Sequence, residues 1–184
     1  MRPIKKKGSK VKAKPLPLEV TKEEFREVQA TIREIQKKRK YFMANLLAWG
    51  SGLRISEVLN VKQGDFNWDD KSIRVNMGKN SKDRIVPIPK GFRKETNLKY
   101  LPISCGVRAL QKAFIKYAEE SGVKKNKPKV HFHSLRHGFA THCLRKGVKP
   151  PAIKLMMGHE DLSTTAIYMN LVPKEALNEY QEKF

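Results

Sequence analysis

Only two cysteines, Cys105 and Cys143, occur in the sequence, far apart and in no CxxC arrangement, which argues against a disulfide framework or a cysteine-rich zinc module. A reducing compartment suits such a chain. Long apolar runs are also missing. The longest, Tyr41 to Trp49, contains Asn45 and is about half the length of a membrane-spanning helix. The basic N-terminus leads into no signal-peptide core, so the expectation is a soluble, cytoplasmic protein with no membrane partner. Acidic side chains are scarce as well: 18 Asp and Glu stand against 39 Lys and Arg, a formal charge of +21 over 184 residues. That excess exceeds what solubility needs and points to a polyanionic partner, nucleic acid foremost. A ribosome-associated or membrane-surface protein could carry the same charge.

What is present is distributed unevenly. Residues 1–14 hold seven basic and no acidic side chains, with Ile4 and Val11 as the only large aliphatics, too little apolar surface to order a segment. Removing those seven charges from the total leaves +14 on the rest of the chain, so the folded part is basic in its own right. The reading is a disordered basic arm over 1–18 and one globular domain over 19–184. Thr21 and Glu24 have the spacing of a capping box, with Phe25, Val28, Ile32 and Ile35 following at helical intervals. Tyr41 to Trp49, apolar nearly all round, predicts a buried helix stopped by Gly50 and Gly52. A short helix is expected over 56–61. Ile73, Val75 and Met77 alternate with polar residues, turn chemistry follows at Gly78 to Lys82, and a β-rich stretch resumes over 84–88, the pattern of a hairpin with Lys79 near its tip. Val107, Leu110, Phe114 and Tyr117 mark another helix, ended by Gly122 and followed by a lysine-rich connector, 124–129. Further helices are expected over 134–146, 151–157, 163–169 and 174–184. The fold class is mainly α with a small antiparallel β-hairpin, α+β.

The segment His133-Ser134-Leu135-Arg136-His137 places ionisable side chains at the start of a predicted helix, where anions are favoured. A forked guanidinium beside a histidine makes a phosphate site with acid–base capacity; the plainer reading is a capped helix with exposed basic residues. His131, His133, His137 and Cys143 also raise a metal site, but the glutamate of a zinc-protease helix is absent, and no metal is expected. Further along, Gly158-His159 closes a helix and Thr164-Thr165-Ala166-Ile167-Tyr168 follows.

Taken together, the His133 segment, Gly158-His159 and the Tyr168 segment resemble the C-terminal signature of the tyrosine recombinases, the phage integrase and Xer-like family. That family also carries an arginine in a Gly-Leu-Arg-x-Ser-Glu segment and a lysine on a β-hairpin. Gly52-Leu53-Arg54-Ile55-Ser56-Glu57 matches the first, and the stretch from Gly78 to Pro87, with Lys79, looks like the second. Four motifs in the family's order span most of residues 19–172.

The resemblance implies a catalytic-domain fold and an active set of Arg54, Lys79, His133, Arg136, His159 and Tyr168. Tyr168 would be the nucleophile of a site-specific DNA recombinase that stores the cut as a 3′-phosphotyrosine. His133 would be the base and Lys79 the acid, with no metal, ATP or other cofactor. A type IB-like nicking enzyme and an idle DNA-binding regulator are the alternatives. The partners implied are double-stranded DNA, contacted by Lys5, Lys6, Lys7, Lys82 and Arg84, and further copies of the chain, a tetramer on DNA at the nucleoid. The family's catalytic domain is typically preceded by a helical DNA-gripping domain; with only the basic arm in that place, the expectation is either a piece of a longer recombinase or a short single-domain member resembling the fimbrial-switch invertases. The stripe Ala176, Leu177, Tyr180 and Phe184 could pack on the chain's own core or on a neighbouring copy.

Overall fold

In the computed structural model, which describes residues 18–34, 39–76, 83–158 and 173–184, the first helix begins where Thr21 and Glu24 cap one another. The Thr21 amide donates to Glu24 Oε2 at 2.8 Å and the Glu24 amide to Thr21 Oγ1 at 3.3 Å, the reciprocal cap that the spacing predicts. It opens α1 (Lys22–Glu34), which buries Phe25, Val28 and Ile32. Helix α2 (Arg39–Ser51) runs through Gly50 and ends two residues beyond the expected Trp49, with Met43, Ala44, Leu46, Leu47 and Ala48 buried. Burying side chains of this size stabilises the fold by about 1.5–3 kcal/mol each for Leu and Met. Because α2 is apolar on nearly every face, it takes neighbours on several sides: α1, α5 (Val107–Glu120) and α7 (His133–Arg145).

Gly52 terminates α2 at φ +67, and a Cβ there would meet Phe139 Cδ1 at 2.5 Å, so only glycine permits both the left-handed turn and the contact with α7. The chain then enters α3 (Ile55–Asn60) and a three-stranded antiparallel sheet ordered β1 (Phe66–Asn67), β2 (Ser72–Val75) and β3 (Arg84–Pro87). Ile73 pairs with Val86 and Val75 with Arg84. Ile73 and Val75 are buried and Arg74 is exposed, the period-two pattern of the expected hairpin. The two-residue β1 is too short for periodicity to announce it. The same holds for α4 (Lys94–Asn97) and for α6 (Val123–Asn126), a single turn inside the expected lysine-rich connector.

Helix α8 (Pro150–Met157) buries Ala152, Ile153, Met156 and Met157, and α9 (Pro173–Lys183) lies on α8 and β3. Leu177 is buried, Tyr180 stacks on Phe139 at 6.0 Å and on Phe184 at 4.4 Å. Glu179 Oε1 accepts from the Lys149 amide at 2.6 Å, and Gln181 Nε2 donates to the Asp70 carbonyl at 2.8 Å. Of the two destinations open to this apolar stripe, the described part occupies its own core.

Residues ahead of α1 strap across α7. The Val20 amide donates to the Ser134 carbonyl at 3.0 Å, Trp49 Nε1 donates to the Val20 carbonyl at 3.1 Å, and Arg145 pairs with Glu19 at 2.6 Å. No helix among the described residues is long and apolar enough to cross a membrane. The expected arm over residues 1–18 lies outside the described residues except for Leu18, which is partly buried against the core, so the domain begins at least one residue earlier than expected; the expected helix over 163–169 lies outside the described residues.

Candidate active site

The end of α8 collects three arginines from three separate parts of the chain. Arg54 stands at the N-cap of α3 in extended conformation, φ −69 and ψ 156, directly after Gly52 and the buried anchor Leu53. Its backbone amide donates to Glu57 Oε2 at 2.6 Å, its Nη1 to Glu57 Oε1 at 3.0 Å, and its Nη2 to the Gly158 carbonyl at 2.7 Å. Arg136, on the first turn of α7, donates through Nη1 to the Gly52 carbonyl and through Nη2 to the Met157 carbonyl. Arg84, the first residue of β3, donates through Nε to the Met156 carbonyl at 2.7 Å. The last carbonyls of a helix lack intrahelical partners and carry its negative end, and here Met156, Met157 and Gly158 each receive one guanidinium.

Glu57 is the one carboxylate hydrogen-bonded to these arginines among the described residues. Arg84 grips it with both prongs, Nη1 to Oε1 at 2.9 Å and Nη2 to Oε2 at 2.7 Å. Burial opposes ionisation of Glu57, but the hydrogen bonds and charges of Arg84 and Arg54 outweigh it and hold the carboxyl below the usual range. Among the described residues, three guanidiniums stand against one carboxylate, so this part of the cluster is cationic. Burial, then the charges of Arg54 and Arg84, push Arg136 down to about 9, still protonated at neutral pH. Arg136 and Arg84 are 5% and 6% exposed, whereas the Arg54 side chain keeps 34% of its surface in solvent. An anion arriving at this cluster therefore meets Arg54 first, with the charge of the other two behind it.

His133 begins α7, one turn before Arg136, so the two share a helix face. It is half-buried. Burial, then the neighbouring charges of His131, Arg136 and Arg54, lower its pKa below the ordinary histidine value, which favours the neutral imidazole. The His131 ring lies 6.0 Å away, and its Nδ1 is 3.2 Å from Ser134 Oγ.

Of the residues singled out in the sequence, the structure thus brings Arg54, Arg136 and His133 to one place. Lys79, His159 and Tyr168, and the DNA contacts expected of Lys5, Lys6, Lys7 and Lys82, lie outside the described residues. Arg84 is a correction: expected as a surface contact to DNA, it is buried and turned inward onto Glu57 and α8. Period two offered a signal, since Arg84 shares a strand face with the buried Val86. A metal set of His131, His133, His137 and Cys143 does not form: Cys143 is fully buried, its thiol pushed up to about 12 by that burial, and no group of three or more metal-ligating side chains occurs among the described residues.

Residues 19–101 and 104–175 match the family model described as the phage integrase family. The tyrosine recombinase XerA of Thermococcus onnurineus is 35% identical over 187 residues, covering 92% of this chain and 64% of the relative; the chain thus spans just under two thirds of that protein's length. Among solved structures, a crystal structure of XerA recombinase aligns with TM-score 0.65 at 22% identity, over 92% of this chain and 66% of the other. The Tn1549 transposon integrase, solved in complex with transposon right end DNA, aligns with TM-score 0.63 at 18% identity, over 92% and 67%. Both likenesses concern the fold.

Proposed function

The chain belongs to the phage integrase family, and on that footing we propose that it is the DNA-cleaving and rejoining domain of a site-specific tyrosine recombinase. The observation that carries the reading is the cationic cluster at the end of α8. A phosphodiester repels nucleophiles by its own charge, which concentrates on the non-bridging oxygens in the transition state; preorganised guanidinium donors stabilise that charge. Arg54 and Arg136 fill this role, and His159, following Gly158 directly, adds a donor.

Tyr168 supplies the attacking oxygen. Its phenol proton passes to His133, the new O–P bond forms, the bond from phosphorus to the 5′-oxygen breaks, and that oxygen takes a proton from Lys79. A phenol has a reference pKa near 10, so a neutral imidazole close by matters, and burial keeps His133 in that form. Rejoining is the reverse with another 5′-hydroxyl. The bond energy is kept in the 3′-phosphotyrosine, so the scheme calls for neither ATP nor a metal. The other four tyrosines support the assignment. Tyr117 is 1% exposed, and Tyr180 is stacked between Phe139 and Phe184. Tyr41 belongs to the first turns of α2, about 15 Å of helix from its Arg54 end. Tyr100 follows α4, whose Asn97 is anchored on Met43 in the first half of α2.

The partners are double-stranded DNA and further copies of the chain, four on a pair of sites. A nicked substrate whose short 5′ fragment diffuses away, incubated in EDTA, is expected to trap a covalent protein–DNA adduct that Tyr168→Phe does not form. Substrates with two target sites give exchanged products if the domain recombines, and only nicked or relaxed products if it does not.

A further inference from the structure

We infer that Arg84 is a positioning residue for strand cleavage: by gripping Glu57 and the end of α8 together, it fixes the orientation in which Arg54 meets the scissile phosphate. This rests on the recombinase reading above.

Glu57 accepts four hydrogen bonds from two arginines. A carboxylate offers about four acceptor positions. On Glu57, Oε1 takes Arg54 Nη1 and Arg84 Nη1, and Oε2 takes the Arg54 amide and Arg84 Nη2. Arg84 supplies two of those four bonds, and with them the carboxylate has no free rotation. Without them it would be held from one side only, by the very residue it is meant to orient. Arg84 also reaches the second Arg54 anchor. A Cβ at Gly158 would lie 3.0 Å from Arg84 Cδ, and the Arg84 Nε bond ends on Met156, two residues before the carbonyl that holds Arg54 Nη2. Among the described residues, both supports of the Arg54 guanidinium therefore lean on one buried side chain.

The geometry needs arginine. Three directed bonds in one plane, two to a carboxylate and one to a carbonyl, match a guanidinium and not an ammonium. Arg84 also sits where two key segments depart from the described fold: residues 77–82, with Lys79, end two positions before it, and residues 159–172, with His159 and Tyr168, follow Gly158. At 6% exposure and turned onto Glu57 and Met156, Arg84 presents little surface to DNA. Its influence on the reaction runs through Arg54.

The test is single-turnover cleavage with the nicked substrate in saturating excess over protein, read as two quantities: the rate constant, and the fraction of protein that ends as adduct. Arg84→Lys and Glu57→Gln are each expected to slow cleavage by about ten- to a hundredfold, with DNA affinity and adduct fraction close to wild type. The double variant should be no slower than the slower single one, because both break the same support. If a variant folds poorly the adduct fraction drops, but the rate of the competent fraction is still read. A wild-type rate constant in Arg84→Lys, whatever the fraction, overturns the inference and leaves the recombinase reading standing. Wild-type protein that forms no adduct overturns the recombinase reading, and this inference falls with it.

Discussion

Arg54 and Gly158 stand 104 residues apart in the chain and meet through a hydrogen bond of 2.7 Å from the Arg54 Nη2 to the Gly158 carbonyl. That bond joins the segment after α2 to the end of α8, and the two preceding carbonyls receive Arg136 and Arg84. The cluster is thus built on backbone atoms that any sequence at 156–158 would offer, while the arginines that reach them are chosen one by one.

The three arginines should separate when removed. Arg54 is the exposed member, so Arg54→Ala is expected to lower the cleavage rate by about a hundred- to a thousandfold with little change in thermal midpoint. Arg136→Ala strips the partners from two carbonyls at a buried site, and each unsatisfied group costs about 1–3 kcal/mol. That variant should lose stability in urea unfolding as well as activity. Equal destabilisation by the two would contradict the division of roles.

Gly138 reports on the strap across α7. A Cβ there would stand 2.1 Å from the Val20 carbonyl oxygen and 2.9 Å from Trp49 Nε1, and the backbone atom cannot step aside cheaply. Gly138→Ala is expected to destabilise the fold by about 1–3 kcal/mol, measured by urea unfolding. A variant as stable as wild type would mean that the strap is not held as described.

How much of this was legible beforehand follows from the range of each signal. The Thr21–Glu24 cap, the buried α2 and the β2–β3 alternation are local patterns, and they appear in the structure where the spacing put them. The first strand and the single-turn helices α4 and α6 span two to four residues, about one period each, so no repeat can show. Arg54, His133 and Arg136 could be named because a family resemblance had already gathered them. Arg84 could not be placed so easily, since one more arginine in a chain of charge +21 reads as another phosphate contact. Only tertiary packing sets it against Glu57 and Met156. The strap from Val20 to Ser134 is a backbone bond across 114 positions, and its mark on side-chain choice, Gly138, names no partner when read in the sequence.

Stability should fall in mild acid. His133, His137 and His142 all have pKa values below the ordinary 6.5, chiefly through burial. As pH drops through 6.5 the unfolded chain takes up protons that the folded chain still refuses, so unfolding is favoured from there down through the folded-state values. Unfolding midpoints in urea measured from pH 8 to pH 5 are expected to decline, with most of the decline below 6.5. A flat profile would contradict the burial of these rings.

The same shift has a kinetic counterpart. A protonated His133 cannot accept the phenol proton, so the single-turnover rate should be flat through neutrality and fall on an acid limb with its midpoint below 6.5. In His133→Gln that limb should vanish along with much of the rate. An acid limb unchanged in this variant would assign it to another group.

The account stands most directly on which side chain takes the DNA. Wild-type protein trapped on the nicked substrate, digested with protease and nuclease and read by mass spectrometry, is expected to carry a 3′-nucleotide on the peptide holding Tyr168, with Tyr41, Tyr100, Tyr117 and Tyr180 unmodified. A nucleotide on any of those four, or on a histidine or serine, would contradict it.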